Sequence, residues 1–503
     1  MMQYQSVQAA LDRLNELEAT VCAYNHAMGI LMTDASTAAP SASAEGRGKT
    51  MEVLSGAMYG LVANPENSEL AQYLIAHAGE LDAPSLRRAQ LLKKSCEQMS
   101  RIPKEEHVAY AVLLNEADAV WRRAKNENDF AAFAPLLEQI VAYNRKFAGY
   151  YNPDVPAYDA LLNEYEEGLT METLDVFFTR LRSALVPLIQ AIGEKEQADD
   201  SVLRQHYPID KQRVFSDYLL ETIGVDPERC TIAETEHPFT SGFNNHDVRV
   251  TTHYYEDDVA SSMYSVIHEG GHALYELGGE DRYNYTSLMG GAAMSIHESQ
   301  SRFYENIIGR SRAYIRMILP RMKEIFPEQL AGATEEEIYR AVNRAQPSLI
   351  RTEADELTYA LHIMVRYELE KQLIDGRLQV ADLPAAWNGM MKEYLGVDVP
   401  DDAHGCLQDV HWSGGMFGYF PSYALGSAYA AQMLAVISRE VGDVDALIDA
   451  GELAKVTAWL KENIHRHGCL YKPGELFERC CGAFDAGFYT DYLTQKFSAL
   501  YGL

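Results

Sequence analysis

At 503 residues, 47% hydrophobic and 23% charged, the chain has a globular composition and enough apolar side chains for a large core, which excludes a disordered protein. Lys and Arg number 43 against 73 Asp and Glu, a formal net charge of −30. That balance argues against a nucleic-acid or an anionic-membrane partner, because both demand a basic face.

The N-terminal MMQYQSVQAALDRLNELEA has no basic segment followed by an apolar run, so no secretory signal is expected and the location expected is cytoplasmic. From Val7, the residues Leu11, Leu14, Leu17 and Val21 recur at three- and four-residue spacing, the apolar face of a helix. The breaker-rich TDASTAAPSASAEGRG, Thr33 to Gly48, is expected to be an extended loop. Helical patterns return in SLRRAQLLKKSCEQM, HVAYAVLLNEADAVWRRA, AAFAPLLEQIVAYNRKFA and METLDVFFTRLRSALVPLIQAIGE. No Pro/Ser/Gly-rich linker divides the sequence, so one domain over residues 1–503 is expected, with an N-terminal helical part up to about residue 230 and a second part beyond it.

The period changes after Cys230. In DVRVTTHYYEDD, Asp247 to Asp258, β-branched and aromatic residues alternate, which predicts a short strand, and VASSMYSVIHEGGHALYEL then returns to helical spacing. The longest charge-free stretch lies between Asp409 and Arg439. Its helical part, about Tyr423 to Ser438, falls short of the ~20 residues a membrane span needs and reads as a buried core helix beside a site. The seven cysteines (Cys22, Cys96, Cys230, Cys406, Cys469, Cys480, Cys481) form an odd, scattered set without CxxC pairs, which points to reduced thiols rather than a disulfide framework.

Chemistry concentrates at His268-Glu269-Gly270-Gly271-His272, an H-E-x-x-H run. On a helix, imidazoles four residues apart lie on one face and reach one metal ion, while Glu269 beside them serves as general base and then general acid toward a water activated by that ion. This is the machinery of peptide hydrolysis. Two adjacent glycines inside a helix suggest a close backbone approach, by substrate or by the strand beside it. A catalytic zinc needs a third ligand. Glu298 and its neighbour His297, in SIHESQSRFYENIIGRS, both qualify by spacing, and Glu305, seven residues after Glu298 on the same face, either holds a ligand histidine from behind or is a helix-surface acid. A remote alternative is a di-iron carboxylate oxidoreductase, since Glu269/His272, Glu234/His237 and Glu462/His465 share the Glu-x-x-His spacing, although Pro238 spoils a helix at the second.

Beyond HEGGH the sequence carries, in order, HPF at His237 to Phe239, DVRVT at Asp247 to Thr251, HESQ at His297 to Gln300, IRTEAD at Ile350 to Asp355 and GCLQDVHW at Gly405 to Trp412. With these motifs, over most of its length, the chain resembles the thermostable metallocarboxypeptidases of the Taq carboxypeptidase type. The resemblance implies a mainly α fold, a large helical zinc-peptidase body with a deep substrate cleft and a small β-sheet beside the active-site helix. It also implies metal binding by both HEXXH histidines and the glutamate of HESQ, hence by His268, His272 and Glu298. It implies one zinc per chain with cobalt as a substitute, peptide substrates with a free C-terminus, and a homodimer. An oligoendopeptidase with the same chemistry is the alternative. One departure stands out: where the family commonly has a Trp-Asp pair before a Met-Pro loop, this chain has Met32-Thr33-Asp34 followed by STAAPSASAEGR.

A carboxypeptidase also needs a cation for the terminal carboxylate. Arg351 in IRTEAD and Arg249 in DVRVT are the candidates, each with a structural ion pair as its rival role, and Glu353, Asp355 and Glu356 are the acids near Arg351 in sequence. The strand of Arg249 is expected to offer an edge to an extended substrate. His411, Tyr419 and Tyr423 are candidates for donating to the oxyanion. His237 either shapes the closed end of the groove or caps the turn before Pro238.

Overall fold

Side-chain caps carried by the sequence start the main helices. In this computed structural model, which describes residues 4–503, Ser6 Oγ accepts from the Ala9 N–H and opens the helix Val7–Thr37. Asp129 and Thr170 do the same for Phe130–Tyr151 and Met171–Gly193. Asp258 accepts from the N–H groups of Ala260 and Ser261 and opens Val259–Leu277, the helix that carries HEGGH. Among the described residues up to Ile223 all the regular structure is helical, as expected.

The segment Thr33 to Gly48 is not an extended loop. The first helix runs on to Thr37, a 3₁₀ turn covers Ser41–Ser43, and a further helix spans Ala44–Val62. Ser36 and Thr37 turn their hydroxyls back onto the carbonyls of Met32 and Thr33, at 3.1 and 2.7 Å, so they do not compete for the helix end. Gly46 and Gly48 cost the next helix about 1 kcal/mol each, too little to unwind 19 residues.

Three strands follow: β1 (Cys230–Glu234), β2 (Thr240–Asn244) and β3 (Asp247–Thr252), in the order β1-β3-β2. β3 runs parallel to β1, with Cys230 opposite Val248, and antiparallel to β2, with Thr240 opposite Val250. Two expectations change here. The strand stops at Thr252 and not at Asp258, because Asp258 is spent on the helix cap. β3 is also central, hydrogen-bonded on both sides, so it cannot offer an edge to a substrate; β2 is the edge strand that lies beside the HEGGH helix.

Buried apolar side chains from Leu113 to Tyr501 form one continuous cluster around the HEGGH helix, and a small satellite of Ala10, Leu14, Leu70, Leu74 and Ala89 lies under the first helix. Pro421–Glu440 is the buried core helix expected from the charge-free stretch, and it packs on Met294–Arg302. Met171–Gly193 is long and apolar enough to cross a membrane, but Leu174, Phe177, Phe178, Leu181 and Leu185 on it belong to the core. The first helix crosses the edge of the sheet. His26 stacks on Phe243 of β2 at 4.8 Å, the Ser36 carbonyl accepts from Thr235 Oγ1 at 3.0 Å, and Glu18 accepts from Ser287 Oγ at 2.6 Å.

Candidate active site

The two glycines of HEGGH let helices touch. A Cβ on Gly270 would sit 2.5 Å from Ile223 Cδ1, and one on Gly271 would sit 2.7 Å from the Ser301 Cα. The close approach inferred from sequence is therefore helix against helix, neither substrate nor strand. Gly426 does the same from the other side, since a Cβ there would lie 2.9 Å from the Glu298 carbonyl carbon. Met294–Arg302 is thus wedged between Val259–Leu277 and Pro421–Glu440, which brings Glu298 down onto the HEGGH face.

The result is a converging donor set. His268 Nε2 and His272 Nε2 each stand 3.9 Å from an oxygen of Glu298, and one ligand atom from each of the three residues lies within 4.8 Å of the others. A separation of 3.9 Å is close to twice the ~2.0–2.2 Å of a Zn–N or Zn–O bond, so one ion fits between them. The residues fit the group. Glu298, not His297, faces the two histidines; His297 turns its Nδ1 to His272 Nδ1 at 3.2 Å.

The two histidines are held differently. His268 Nδ1 donates to Glu305 Oε2 at 2.8 Å, and Glu305 in turn faces Arg302 at 3.1 Å and Arg310 at 3.6 Å. Burial pulls the His268 pKa down, but the Glu305 hydrogen bond and the Glu298 charge outweigh it and leave it above the ordinary value. His272 has no carboxylate on its Nδ1, which faces His297 instead, and burial, with the nearby His268, His297 and Arg302, drives its pKa well below the ordinary value. Glu305 lies in a π-helical turn, Phe303–Ile308, and despite its burial the two arginines and His268 hold its carboxyl well below the usual range.

Glu269 is buried at 7% exposure and accepts a 2.6 Å hydrogen bond from Thr240 Oγ1. Burial raises its pKa, against the lowering pull of His268 and of Thr240. The same Thr240 oxygen is 3.0 Å from the Glu269 carbonyl, so β2 clasps this residue at two points.

A second cluster gathers Arg351, His411, Tyr419 and Tyr423. Arg351 is 7% exposed and donates from Nε and Nη2 to Asp409 Oδ1 at 3.0 and 2.8 Å, and from Nη1 to the Tyr359 hydroxyl at 3.2 Å. Its ion pair is thus with Asp409 and not with the acids near it in sequence. Arg366 shares that carboxylate, reaching Oδ2 at 2.7 Å. Arg351 sits 5.1 Å over the Tyr423 ring, His411 Nε2 lies 3.3 Å from the Tyr423 hydroxyl, and Tyr419 packs on Tyr423 at 5.3 Å. Burial, with the two arginines, lowers the His411 pKa to about 4 although Asp409 pulls the other way. Tyr359 joins the clusters, because Arg302, which faces Glu298 at 3.4 Å, lies 4.2 Å over its ring. Arg249 and His237 stand apart from this second cluster: Arg249 is held in a two-point pair by Asp247, and His237 is exposed on the bend leading into β2.

The remaining Glu-x-x-His spacings do not assemble. Glu234 is on β1 and His237 on a bend, Glu462 pairs with Arg466, and His465 is engaged by Gln300. Among the described residues the His268, His272, Glu298 set is the one cluster suited to a metal.

Residues 13–497 match the family model of the carboxypeptidase Taq (M32) metallopeptidases. The chain belongs to that family. It is 38% identical to carboxypeptidase 1 of Bacillus subtilis (strain 168), covering 95% of this chain and 96% of that one. It is 36% identical to thermostable carboxypeptidase 1 of Thermus thermophilus, covering 98% and 99%. The crystal structure of an M32 carboxypeptidase from Deinococcus radiodurans R1 superposes with a TM-score of 0.95 at 36% identity, over 98% of this chain and all of the other. The protein is accordingly a metallocarboxypeptidase, a peptide hydrolase with a mainly helical fold.

Four residues that contact the predicted ones, directly or through Asp409, escaped the sequence reasoning: Thr240, Tyr359, Arg366 and Asp409. Asp409 and Arg366 left a trace, an acid at the rim of a charge-free stretch and an arginine inside the apolar run YALHIMVRY. Thr240 and Tyr359 left none, since a hydroxyl on a short strand and a tyrosine among 31 carry no periodic signal.

Proposed function

We propose that this M32 enzyme is a zinc-dependent carboxypeptidase that removes C-terminal residues from peptides with a free carboxylate. The observation that carries the reading is the convergence of His268 Nε2, His272 Nε2 and Glu298 beside the buried Glu269. One zinc ion per chain, or cobalt in its place, would be held by those three residues and would polarise the scissile carbonyl and acidify water toward a pKa of ~7. Glu269 accepts the proton of the attacking water as its oxygen bonds to the carbonyl carbon, then delivers it to the amine nitrogen as the C–N bond breaks. Thr240 holds the Glu269 carboxylate in place through both transfers.

Arg351 receives the terminal carboxylate. The support is electrostatic: Arg351 and Arg366 share the single carboxylate of Asp409, with His411 kept neutral beside them, so the pocket retains positive charge. Tyr419, Tyr423 and His411 are the donors available to the oxyanion, and an extended substrate pairs with the edge of β2. Arg249, neutralised by Asp247, and the exposed His237 shape the groove more remotely. The first helix and its neighbours, up to about residue 230, act as a lid on the catalytic part of a single 503-residue domain. A cytoplasmic homodimer is the form proposed, the compartment on the seven unpaired cysteines and the dimer on the family resemblance.

The test pairs metal analysis with a peptide assay. About one zinc per chain and release of C-terminal residues from free-carboxylate but not from C-terminally amidated peptides are expected. Equal cleavage of both would remove the carboxylate pocket from the mechanism.

A further inference from the structure

His268 and His272 face the same ion, yet only His268 has a carboxylate directly behind it. Behind His272 the chain continues through a second imidazole. His272 Nδ1 lies 3.2 Å from His297 Nδ1, and His297 Nε2 lies 2.9 Å from Glu276 Oε1. Hydrogen-bond polarity allows one assignment here. Nε2 of His272 must be bare to bind a metal, so its proton is on Nδ1 and is donated to His297 Nδ1; His297 then carries its own proton on Nε2 and gives it to Glu276.

The surrounding backbone is cut to fit this row. A Cβ on Gly291 would lie 2.5 Å from His297 Nε2 and 2.7 Å from Tyr275 Cε1. A Cβ on Gly242, on β2, would lie 2.6 Å from Glu276 Oε2. The Tyr275 ring flanks His297 at 4.6 Å, and its hydroxyl accepts from the Ala292 N–H at 3.1 Å, which fixes the loop carrying Gly291. The His297 and Glu276 side chains are 16% and 14% exposed, so water competes little for these bonds.

We infer that Glu276 and His297 form a relay that orients His272 and raises its basicity toward the metal, the counterpart of Glu305 behind His268. Both are positioning residues, and Glu276 acts only through His297. The inference rests on reading His268, His272 and Glu298 as the metal site. Ligand-backing groups of this kind are worth roughly 10–100-fold in metal affinity.

The experiment follows zinc release from the full-length, zinc-loaded enzyme into a chromogenic chelator, with the absorption band of the cobalt-substituted protein as second readout. His297→Ala is expected to release zinc about 10–100-fold faster and to shift the cobalt band. His297→Asn, whose side-chain oxygen can still accept from His272, is expected to recover part of the loss. Glu276→Ala accelerates release in the wild-type background, but adds less than about 2-fold when His297 is already alanine. Should His297→Ala fail to fold by circular dichroism, His297→Asn with and without Glu276→Gln makes the same comparison. Release within about 2-fold of wild type in the His297 variants, or effects of the two positions that multiply, overturns the relay while leaving the metal site standing. A wild-type protein that binds no zinc overturns both.

Discussion

A single hydroxyl decides how Glu269 is presented. Thr240 Oγ1 lies within hydrogen-bonding distance of both the carboxylate and the carbonyl of that residue, so its proton can turn to the carboxylate when Glu269 is ionised and to the carbonyl when it is protonated. Glu269→Gln is expected to lower kcat by about 10²–10⁴-fold without loss of bound metal, as measured by steady-state kinetics and metal analysis on the same sample. Thr240→Val replaces the hydroxyl with a methyl; it is expected to lower kcat by about 10–100-fold with KM unchanged, and Thr240→Ser to restore it, consistent with the ~1.5–3 kcal/mol carried by a hydrogen bond to a charged group. An unaltered kcat in the valine variant would leave Thr240 as a packing residue. At this scale the three converging residues, His268, His272 and Glu298, were legible, because HEXXH and HESQ concentrate their chemistry in a few adjacent letters. Thr240 reaches Glu269 from a strand that leaves no pattern, and Asp409 and Arg366, whose traces were faint, meet at Arg351 from distant segments.

Between elements, the active site is a matter of helix spacing. Gly271 and Gly426 admit Met294–Arg302 from opposite sides, and the place of Glu298 beside His268 and His272 depends on that fit. Gly426→Ala would place a methyl against the Glu298 backbone; a loss of about 1–3 kcal/mol of stability is expected, together with weakened zinc binding. Thermal melts of the apo and zinc forms separate the two effects, and an unchanged difference between them would mean that Glu298 did not move. The helices themselves were legible from periodicity. The sheet was legible only at β3, where alternation runs long enough to register; TSGFN on β2 has a glycine and short polar residues where a strand signal needs bulk. The expected loop at Thr33–Gly48 misled because Ser and Thr read as breakers even when, as at Ser36 and Thr37, their hydroxyls turn back onto the preceding helical turn.

For the whole molecule, charge acts over two ranges. The −30 balance should favour basic over acidic peptides at a distance, so kcat/KM for basic substrates is expected to fall with added salt while that for acidic substrates rises. Equal salt responses would show that the outer field plays no part. Buried histidines set the acid limit. Burial, with His297 and Lys461 adding to it, lowers His465 to about 3, so the unfolded chain takes up a proton near pH 6.5 that the folded chain refuses. Its contribution to stability is therefore complete above pH 6.5 and declines as pH falls toward 3, by at most about 1.4 kcal/mol per pH unit. His465→Gln can keep the donor to Gln300 Oε1 and removes the titration, so Tm measured from pH 7 to 5 is expected to fall less steeply than in the wild type. Two guanidinium groups on the one carboxylate of Asp409 have a further consequence. Asp409 answers both guanidinium groups with one charge, and an anion that enters adds a second. Free-carboxylate peptides should therefore act as thermal stabilisers, raising Tm with concentration by mass action. Their amidated counterparts should not, so the folded state itself would register the difference between a chain end and a chain interior.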